Sequence, residues 1–258
     1  IDISQTSVKP DAYVTRTEFA DMAARLMYAD FESISNEQTG DLSKNDKGII
    51  YLNSIGIMNG NGSGEYEPDR NIKITEAVKI LSAAAGYTAA AEADGGFKEG
   101  YMGLASRLGL LDGINLTSDE ITYSDLFKIL DNFTETNVME KTSSGYTSND
   151  TETVLEKYKK MRRATGIEET CKASSIYSYD GKGEDTAVIN GGEFKIGKTD
   201  CSDYVGMRVE YYYSYADDEN VLIYVSPYKN RIVTIMHPDI ISFENGEYKY
   251  QAENSKQK

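Results

Sequence analysis

Apolar residues recur at helical spacing three times in the first half of the chain. The i, i+3, i+4, i+7 pattern predicts one buried stripe on each of three helices. The stripes are Phe19, Met22, Ala23 and Leu26; Ala77, Ile80, Leu81 and Ala84; and Leu126, Ile129, Leu130 and Phe133. A related loop precedes each stripe, at 10–18, 68–76 and 121–125. The first half is therefore predicted to consist of diverged helix–loop–helix repeats.

A shorter helical unit repeats as well, at 49–60 and 102–113, and each copy ends in glycine, a usual helix stop. The first repeat has no such leading helix, because only about ten residues precede its loop. Either the chain is truncated there, or another segment supplies the missing packing surface.

In the second half the period changes to two. Apolar or aromatic residues at 207, 209, 211, 213 and 215 alternate with mostly polar ones, which predicts a half-buried strand. Further short strands are predicted at 174–179, 186–189, 193–196, 221–225, 231–236 and 247–251, separated by Asp-Gly and Asn-Gly turns. The tyrosines at 211–213 could form a carbohydrate-stacking platform, but alternating aromatics more often cover a sheet's own core.

These patterns predict an α+β protein of two domains. Residues 1–136 hold the helical repeats, 137–165 form a linker with a short helix around Val154, Leu155 and Tyr158, and 166–258 form an all-β domain. Short strands with tight turns favour a small antiparallel barrel or a curled sheet for that last domain.

The start of the first helix carries the candidate chemistry. Thr15 and Glu18 have the spacing of a capping box, in which each side chain bonds the other residue's backbone amide. Arg16 lies between them, beside the unpaired amides of the first helical turn, where a carboxylate or phosphate can bind. The capping box explains Thr15 and Glu18 without any ligand, so both interpretations stay open.

The composition excludes several functions. The 258 residues carry a formal charge of −15, with 11 basic against 22 acidic residues up to position 136 and 16 against 20 beyond it. Without a basic stripe, nucleic acid is not an expected partner, and anionic membranes are disfavoured. No apolar run reaches the ~18–20 residues of a membrane span. Twenty tyrosines and no tryptophan suit an extracellular protein.

The sequence gives no local sign of catalysis. No nucleophile with a base, metal cluster or cofactor motif is present, so we expect no enzyme activity, no metal and no cofactor; a pair of distant carboxylates remains the one enzymatic alternative. The loop 59–65 alternates Asn and Gly like a calcium loop but lacks its carboxylates. Cys171 and Cys201 form either a disulfide or two small buried side chains.

Several segments together resemble the S-layer homology repeat. They are Tyr-Val-Thr-Arg-Thr-Glu-Phe-Ala at 13–20, Leu-Asn-Ser-Ile-Gly-Ile-Met-Asn-Gly at 52–60, the Tyr-Glu-Pro-Asp and Ile-Lys-Ile-Thr-Glu-Ala pieces within 66–77, and Ala-Ser-Arg-Leu-Gly-Leu-Leu-Asp-Gly at 105–113. The stretch 83–101 is similar to the junction between the second and third repeats of such proteins from Gram-positive bacteria. The β-rich half looks like the β modules that follow such repeats in clostridial surface proteins.

The resemblance implies a pseudo-threefold cluster of repeats that binds secondary cell-wall polysaccharide non-covalently, commonly through a pyruvylated sugar. The family's Thr-Arg-Ala-Glu motif is matched only by residues 15–18, because Ile74 and Tyr123 occupy the arginine position of the other repeats. The resemblance thus implies an extracellular, wall-associated protein in which Arg16, with Thr15 and Glu18, contacts the glycan. The alternative is a scaffold without glycan binding, whose β domain meets another surface protein.

Overall fold

The computed structural model describes most of the chain. The described residues are 9–27, 29–34, 40–142, 145–172, 186–197, 199, 201, 204, 207–215, 219–228, 243–244 and 247–248. The chain divides into two compact units, residues 1–162 and residues 163–258. Among the described residues, no helix combines the length and the apolar character needed to cross a bilayer.

The first unit contains the described helices. They are α1 (Arg16–Leu26), α2 (Lys47–Ser54), α3 (Ile74–Ala84), α4 (Thr88–Ala93), α5 (Glu99–Arg107), α6 (Tyr123–Thr134) and α7 (Val154–Lys159). Helices α1, α3 and α6 carry the three predicted stripes. All of the stripe residues are buried except Met22 and Leu26, which are half-buried and still pack against the same core. The helical prediction is therefore confirmed.

A closed ring of backbone hydrogen bonds joins the three repeats just before their long helices. The Val14 amide donates to the Ile121 carbonyl (3.1 Å), the Ile72 amide to the Val14 carbonyl (2.9 Å), and the Ile121 amide to the Ile72 carbonyl (3.3 Å). All three side chains are buried. Each repeat thus bonds both others, and the N-terminus of each long helix lies beside the preceding loop of another repeat.

Residues 137–153 correct the predicted linker. They form an antiparallel hairpin of β1 (Asn137–Thr142) and β2 (Gly145–Thr153). The hairpin packs on the helices, because the Met139 amide donates to the Ala85 carbonyl and Val138 is buried in the helical core. The hydrogen bond satisfies the Ala85 carbonyl at the end of α3, and the packing removes the apolar Val138 side chain from water. The segment is therefore more stable when it is paired and packed than when it is solvated.

The predicted short helix is present as α7, and it covers the C-terminal ends of the long helices. The Tyr158 hydroxyl donates to the Ala84 carbonyl (2.8 Å) and the Lys159 ammonium to the Arg25 carbonyl (2.6 Å). Both acceptors belong to the last turns of α3 and α1, whose carbonyls lack helical partners. Part of the packing surface of the repeats is therefore supplied from beyond the third repeat.

The second unit is built on a five-stranded sheet. Its strands are β3 (Met161–Lys172), β4 (Thr186–Ile189), β5 (Gly192–Ile196), β6 (Arg208–Ser214) and β7 (Val221–Pro227), in the order β3-β4-β5-β7-β6. A small hairpin of β8 (Phe243–Glu244) and β9 (Glu247–Tyr248) follows. The expected antiparallel arrangement is wrong in one place, because β5 and β7 pair in parallel. The strands predicted at 174–179 and 231–236 lie outside the described residues.

The core of the second unit settles the role of two tyrosines. Tyr211 is buried, and its ring and that of Tyr213 pack edge-on against Phe194 at 5.3 and 5.1 Å between centroids. The core interpretation is confirmed for this pair. Cys201 is fully buried and disulfide-bonded, and Cys171 is the only other cysteine in the sequence.

Candidate functional site

Arg16 is the first residue of α1 and is held there by the predicted capping box. The Thr15 hydroxyl accepts from the Glu18 amide (3.2 Å), and the Glu18 carboxylate accepts from the Thr15 amide (2.8 Å). The backbone of Arg16 also donates to the Arg70 carbonyl (2.9 Å). The N-terminus of α1 is thereby fixed against the loop of the second repeat.

The Arg16 side chain is buried between the first and second repeats, with only 6% of the residue exposed. Its Nε donates to the Tyr66 carbonyl at 2.7 Å, and its Nη1 lies 3.0 Å from the Glu76 carboxylate. Asp41 holds the Tyr66 carbonyl in place by accepting from the amides of Tyr66 and Glu67. Nη2 of Arg16 has no partner within the described part of the chain.

Glu76 is shared by two arginines. Its oxygens lie 3.0 Å from Arg16 and 2.7 Å from Arg70 and also accept from the Lys73 amide. Burial acts to raise the pKa of Glu76, but the hydrogen bonds from Arg70 and Lys73 and the charge of Arg16 outweigh it and hold this pKa below its usual range. Glu76 therefore stays ionised and keeps both guanidinium groups oriented.

A cleft of about 160 Å³ opens above Arg16. One wall is the loop that follows α2, and the other comes from α3 and the segment after α4. The lining residues are Arg16, Ile57, Met58, Asn59, Gly60, Asn61, Glu65, Glu67, Arg70, Glu76, Lys79, Ile80 and Phe97. The arrangement offers a buried guanidinium at the base and an aromatic ring at the rim, which suits a polar ring-shaped ligand with an acidic group.

Lys79 and Phe97 are among the cleft residues that the sequence did not predict. The Lys79 ammonium stands 5.5 Å from the centre of the Phe97 ring, and it makes no ion pair with any described residue. Phe97 is 51% exposed. The only signal was that Phe97 lies in the segment resembling a repeat junction; nothing local marks Lys79, which occupies an ordinary position on α3.

The structure does not bring Thr15 and Glu18 into the cleft with Arg16. Neither lines it, because the capping box turns them toward the junction between the first and third repeats. There the Glu18 carboxylate accepts from the Tyr123 hydroxyl at 2.5 Å. Burial and the neighbouring Glu18 raise the pKa of Tyr123 to about 12. Of the three predicted site residues, Arg16 alone lines the cleft.

A second cleft, of about 450 Å³, adjoins the first at the junction of the second and third repeats. Here Ile74 stands at the arginine position, and the cations present are Arg70, Lys73 and Lys98. The positive charge therefore comes from neighbouring positions rather than from the helix start.

The loop 59–65 is a turn closed by its own side chain. The Asn61 side-chain oxygen accepts from the amides of Ser63 and Glu65, the usual role of Asn in such turns. No group of three or more His, Cys, Asp or Glu side chains in the described ranges is arranged to hold a metal ion.

Comparison with known proteins adds one finding. Residues 40–73 match the family model of the S-layer homology domain. That domain is a cell-surface module that typically anchors proteins to cell-wall polysaccharide, so the match indicates cell-surface, wall-associated localisation. No curated protein matches the chain.

Proposed function

We propose that this chain is a non-catalytic cell-surface protein whose S-layer homology repeats attach it to a secondary cell-wall polysaccharide of a Gram-positive host. An anionic sugar group, such as a pyruvyl ketal, binds in the cleft above Arg16. The observation that supports this proposal is that much of the cleft lining comes from the segment that matches the S-layer homology domain. Residues 57–61, 65, 67 and 70 all belong to the segment 40–73 that matches the domain.

The burial of each side chain in the cleft indicates its role in binding. Arg16 is buried and has two of its nitrogens engaged, which leaves Nη2 to donate to an incoming carboxylate. Lys79 is half-buried in the cleft lining and pairs with no described carboxylate, so its charge is available to a ligand. Phe97 offers the exposed face of its ring beside Lys79. Charge-assisted hydrogen bonds to a carboxylate in such a partly dry site are the strong ones.

Sedimentation with purified cell walls tests the proposal. The protein is expected to sediment with intact walls and to stay in solution once the secondary polysaccharide has been removed chemically. Lys79→Ala and Arg16→Ala should each weaken retention by about ten- to a hundred-fold, because a hydrogen bond to a charged group contributes about 1.5–3 kcal/mol. Lys44→Ala, which removes an exposed lysine outside the cleft, is the matched control.

Arg16→Ala also removes an internal ion pair, so its thermal unfolding must be compared with that of the parent protein. Lys79→Ala carries the decisive result because no described ion pair depends on it. Unchanged retention in Lys79→Ala, together with normal sedimentation of the parent protein, would move the binding site away from this cleft.

A scaffold without glycan binding is the second candidate, and one observation favours it. The cleft contains its own counter-ions: Arg16, Arg70 and Lys79 face Glu65, Glu67 and Glu76. An anionic polymer must also approach an acidic unit, which opposes binding at long range. If the parent protein sediments with neither intact nor stripped walls, the repeats have a structural role only. The search for a protein partner should then turn to the β unit.

The same incubations with purified cell walls test whether the protein has hydrolase activity. Walls incubated with the protein should release no soluble sugar beyond the level of a buffer control. Release that disappears when one pair of carboxylates is replaced would identify a hydrolase instead.

A further inference from the structure

The junction between the third and first repeats is built like the Arg16 junction. The Tyr123 amide donates to the Ala12 carbonyl (3.0 Å), as the Arg16 amide does to the Arg70 carbonyl. Tyr13 and Thr122 pair in a short antiparallel bridge, as Thr15 and Asn71 do. Tyr123 therefore stands where Arg16 stands in the related junction.

The side chains of the two junctions correspond as well. Arg16 contacts Glu76, the capping-box carboxylate of the next repeat in the ring, and Tyr123 contacts Glu18, which has the same role in the first repeat. The tyrosine keeps the contact with that carboxylate but brings no positive charge. Tyr123 offers an anionic ligand no guanidinium, and such a ligand faces the negative charge of Glu18.

Exposed aromatic residues lie close to this contact. The rings of Tyr123 and Phe127 lie one helical turn apart on α6, 6.4 Å between centroids and inclined by 37°. Phe127 is 48% exposed, and Tyr13, bridged to the residue before Tyr123, is 49% exposed. Aromatic side chains with a polar end, such as tyrosine, are enriched at binding interfaces.

We propose that Tyr13, Tyr123 and Phe127 form a stacking platform for an uncharged sugar residue. This inference rests on the proposed glycan binding and adds a second, chemically different subsite to it. The C–H face of a pyranose ring stacks on Phe127 and Tyr13, and its hydroxyls donate to the Glu18 carboxylate and the Tyr123 oxygen. The Glu18 carboxylate already accepts from the Thr15 amide, the Thr15 hydroxyl and the Tyr123 hydroxyl, and it can accept one more hydrogen bond. The charge of the junction therefore selects the occupant, because a sugar hydroxyl can donate that bond whereas a ligand carboxylate is repelled.

Nuclear magnetic resonance titration of the full chain tests the platform with two probes. One is the neutral disaccharide of N-acetylglucosamine, and the other is the disaccharide of glucuronic acid and N-acetylglucosamine. The neutral probe should shift the ring signals of the three platform residues and bind about ten-fold more weakly to Phe127→Ala, because that variant loses the stacking surface. Tyr123→Phe keeps the ring and tests the hydroxyl separately.

Tyr224→Ala is the matched control, since Tyr224 is an aromatic residue of similar exposure (53%) that lines neither of the two clefts described above. It should leave binding of the neutral probe unchanged. The proposal is overturned if the neutral probe shifts no platform signal or if Phe127→Ala binds it as well as the parent protein does. It is also overturned if the parent protein forms a dimer in solution and Phe127→Ala is a monomer, because a second copy then occupies the platform. Wall retention that still depends on Lys79 would leave the proposed function intact in each case.

Discussion

At the scale of single residues, Glu76 organises the candidate cleft. It orients two guanidinium groups and closes half of a capping box at the start of α3. Its neighbours lower its pKa despite its burial, so the folded protein favours the ionised form. Because the same carboxylate serves structure and site together, its protonation links the stability of the first unit to pH.

We expect Glu76→Gln to remove part of the pH dependence of stability. Because the pKa of Glu76 is lower in the folded state, this carboxylate stabilises the fold fully when the pH is above its unfolded pKa of about 4.3. That stabilisation is lost as the pH falls through the folded pKa. The variant should be less stable by about 1–3 kcal/mol near pH 7, and the difference should shrink toward pH 3. Urea unfolding from pH 3 to 7 measures this, with exposed Glu99→Gln as control; a gap that stays constant with pH would contradict it.

At the scale of elements, the three long helices begin in the same way but with unequal caps. Thr15 and Thr122 complete both halves of their capping boxes. At α3 only the Glu76 half is present, because the lysine side chain of Lys73 cannot accept a hydrogen bond from an amide. Since Lys73 is exposed and has the extended backbone of an N-cap, this helix start can be improved.

Lys73→Thr should stabilise the protein, whereas Thr15→Ala and Thr122→Ala should destabilise it. Replacing an N-cap side chain changes stability by about 0.5–2 kcal/mol, and we expect a gain at the lower end of that range at residue 73. Thermal and urea unfolding of the three variants provide the measurement. A loss of stability in Lys73→Thr would mean that the lysine side chain makes a larger contribution than the missing cap.

The contact between α1 and α2 depends on one glycine. A Cβ at Gly48 would lie 2.4 Å from the Asp21 amide nitrogen, far inside contact distance, so the two helices must separate. We expect Gly48→Ala to destabilise the protein by about 1–3 kcal/mol despite alanine's higher helix propensity. Gly62→Ala, where an added Cβ meets nothing within 4 Å, should be close to neutral in the same unfolding measurement.

At the scale of the whole molecule, the two units use different means of stabilisation. The first buries a large helical core and needs no covalent link. The second has a smaller described core, and Cys201 within it is disulfide-bonded. With Cys171 as its only possible partner in the chain, the bond closes a loop of about 30 residues, which corresponds to about 3–4 kcal/mol of stabilisation.

Reduction should therefore weaken the second unit selectively. Hydrogen exchange with and without reductant should show faster exchange in the described strands of 163–258 and little change in α1, α3 and α6. Cys201→Ser should exchange like the reduced protein and should not respond to reductant. Equal loss of protection in both units would show that they unfold together, and loss of wall retention on reduction would involve the β unit in binding.

Much of the element content was readable from the sequence because local periodicity reflects burial. The stripes on α1, α3 and α6, the strands β4, β5, β6 and β7, and the capping box at the start of α1 were all predicted. Strand β3 was not, since Met161–Lys172 has no alternation of apolar residues. The hairpin 137–153 was also missed, because its polar, threonine-rich sequence looks like a connector until the end of α3 offers it a partner.

The sequence by itself determined the repeats, the helix starts and the position of Arg16 at one of them, because these depend on neighbours three or four residues apart. Only the tertiary structure decided which residues share a site. The ring of bonds among Val14, Ile72 and Ile121 sets each helix start against another repeat's loop. As a result, the Arg16 side chain lines a cleft with Lys79 and Phe97. The Glu18 side chain lies at a different junction, where it accepts a hydrogen bond from Tyr123. Such contacts span 50 to 105 positions, far beyond any local pattern.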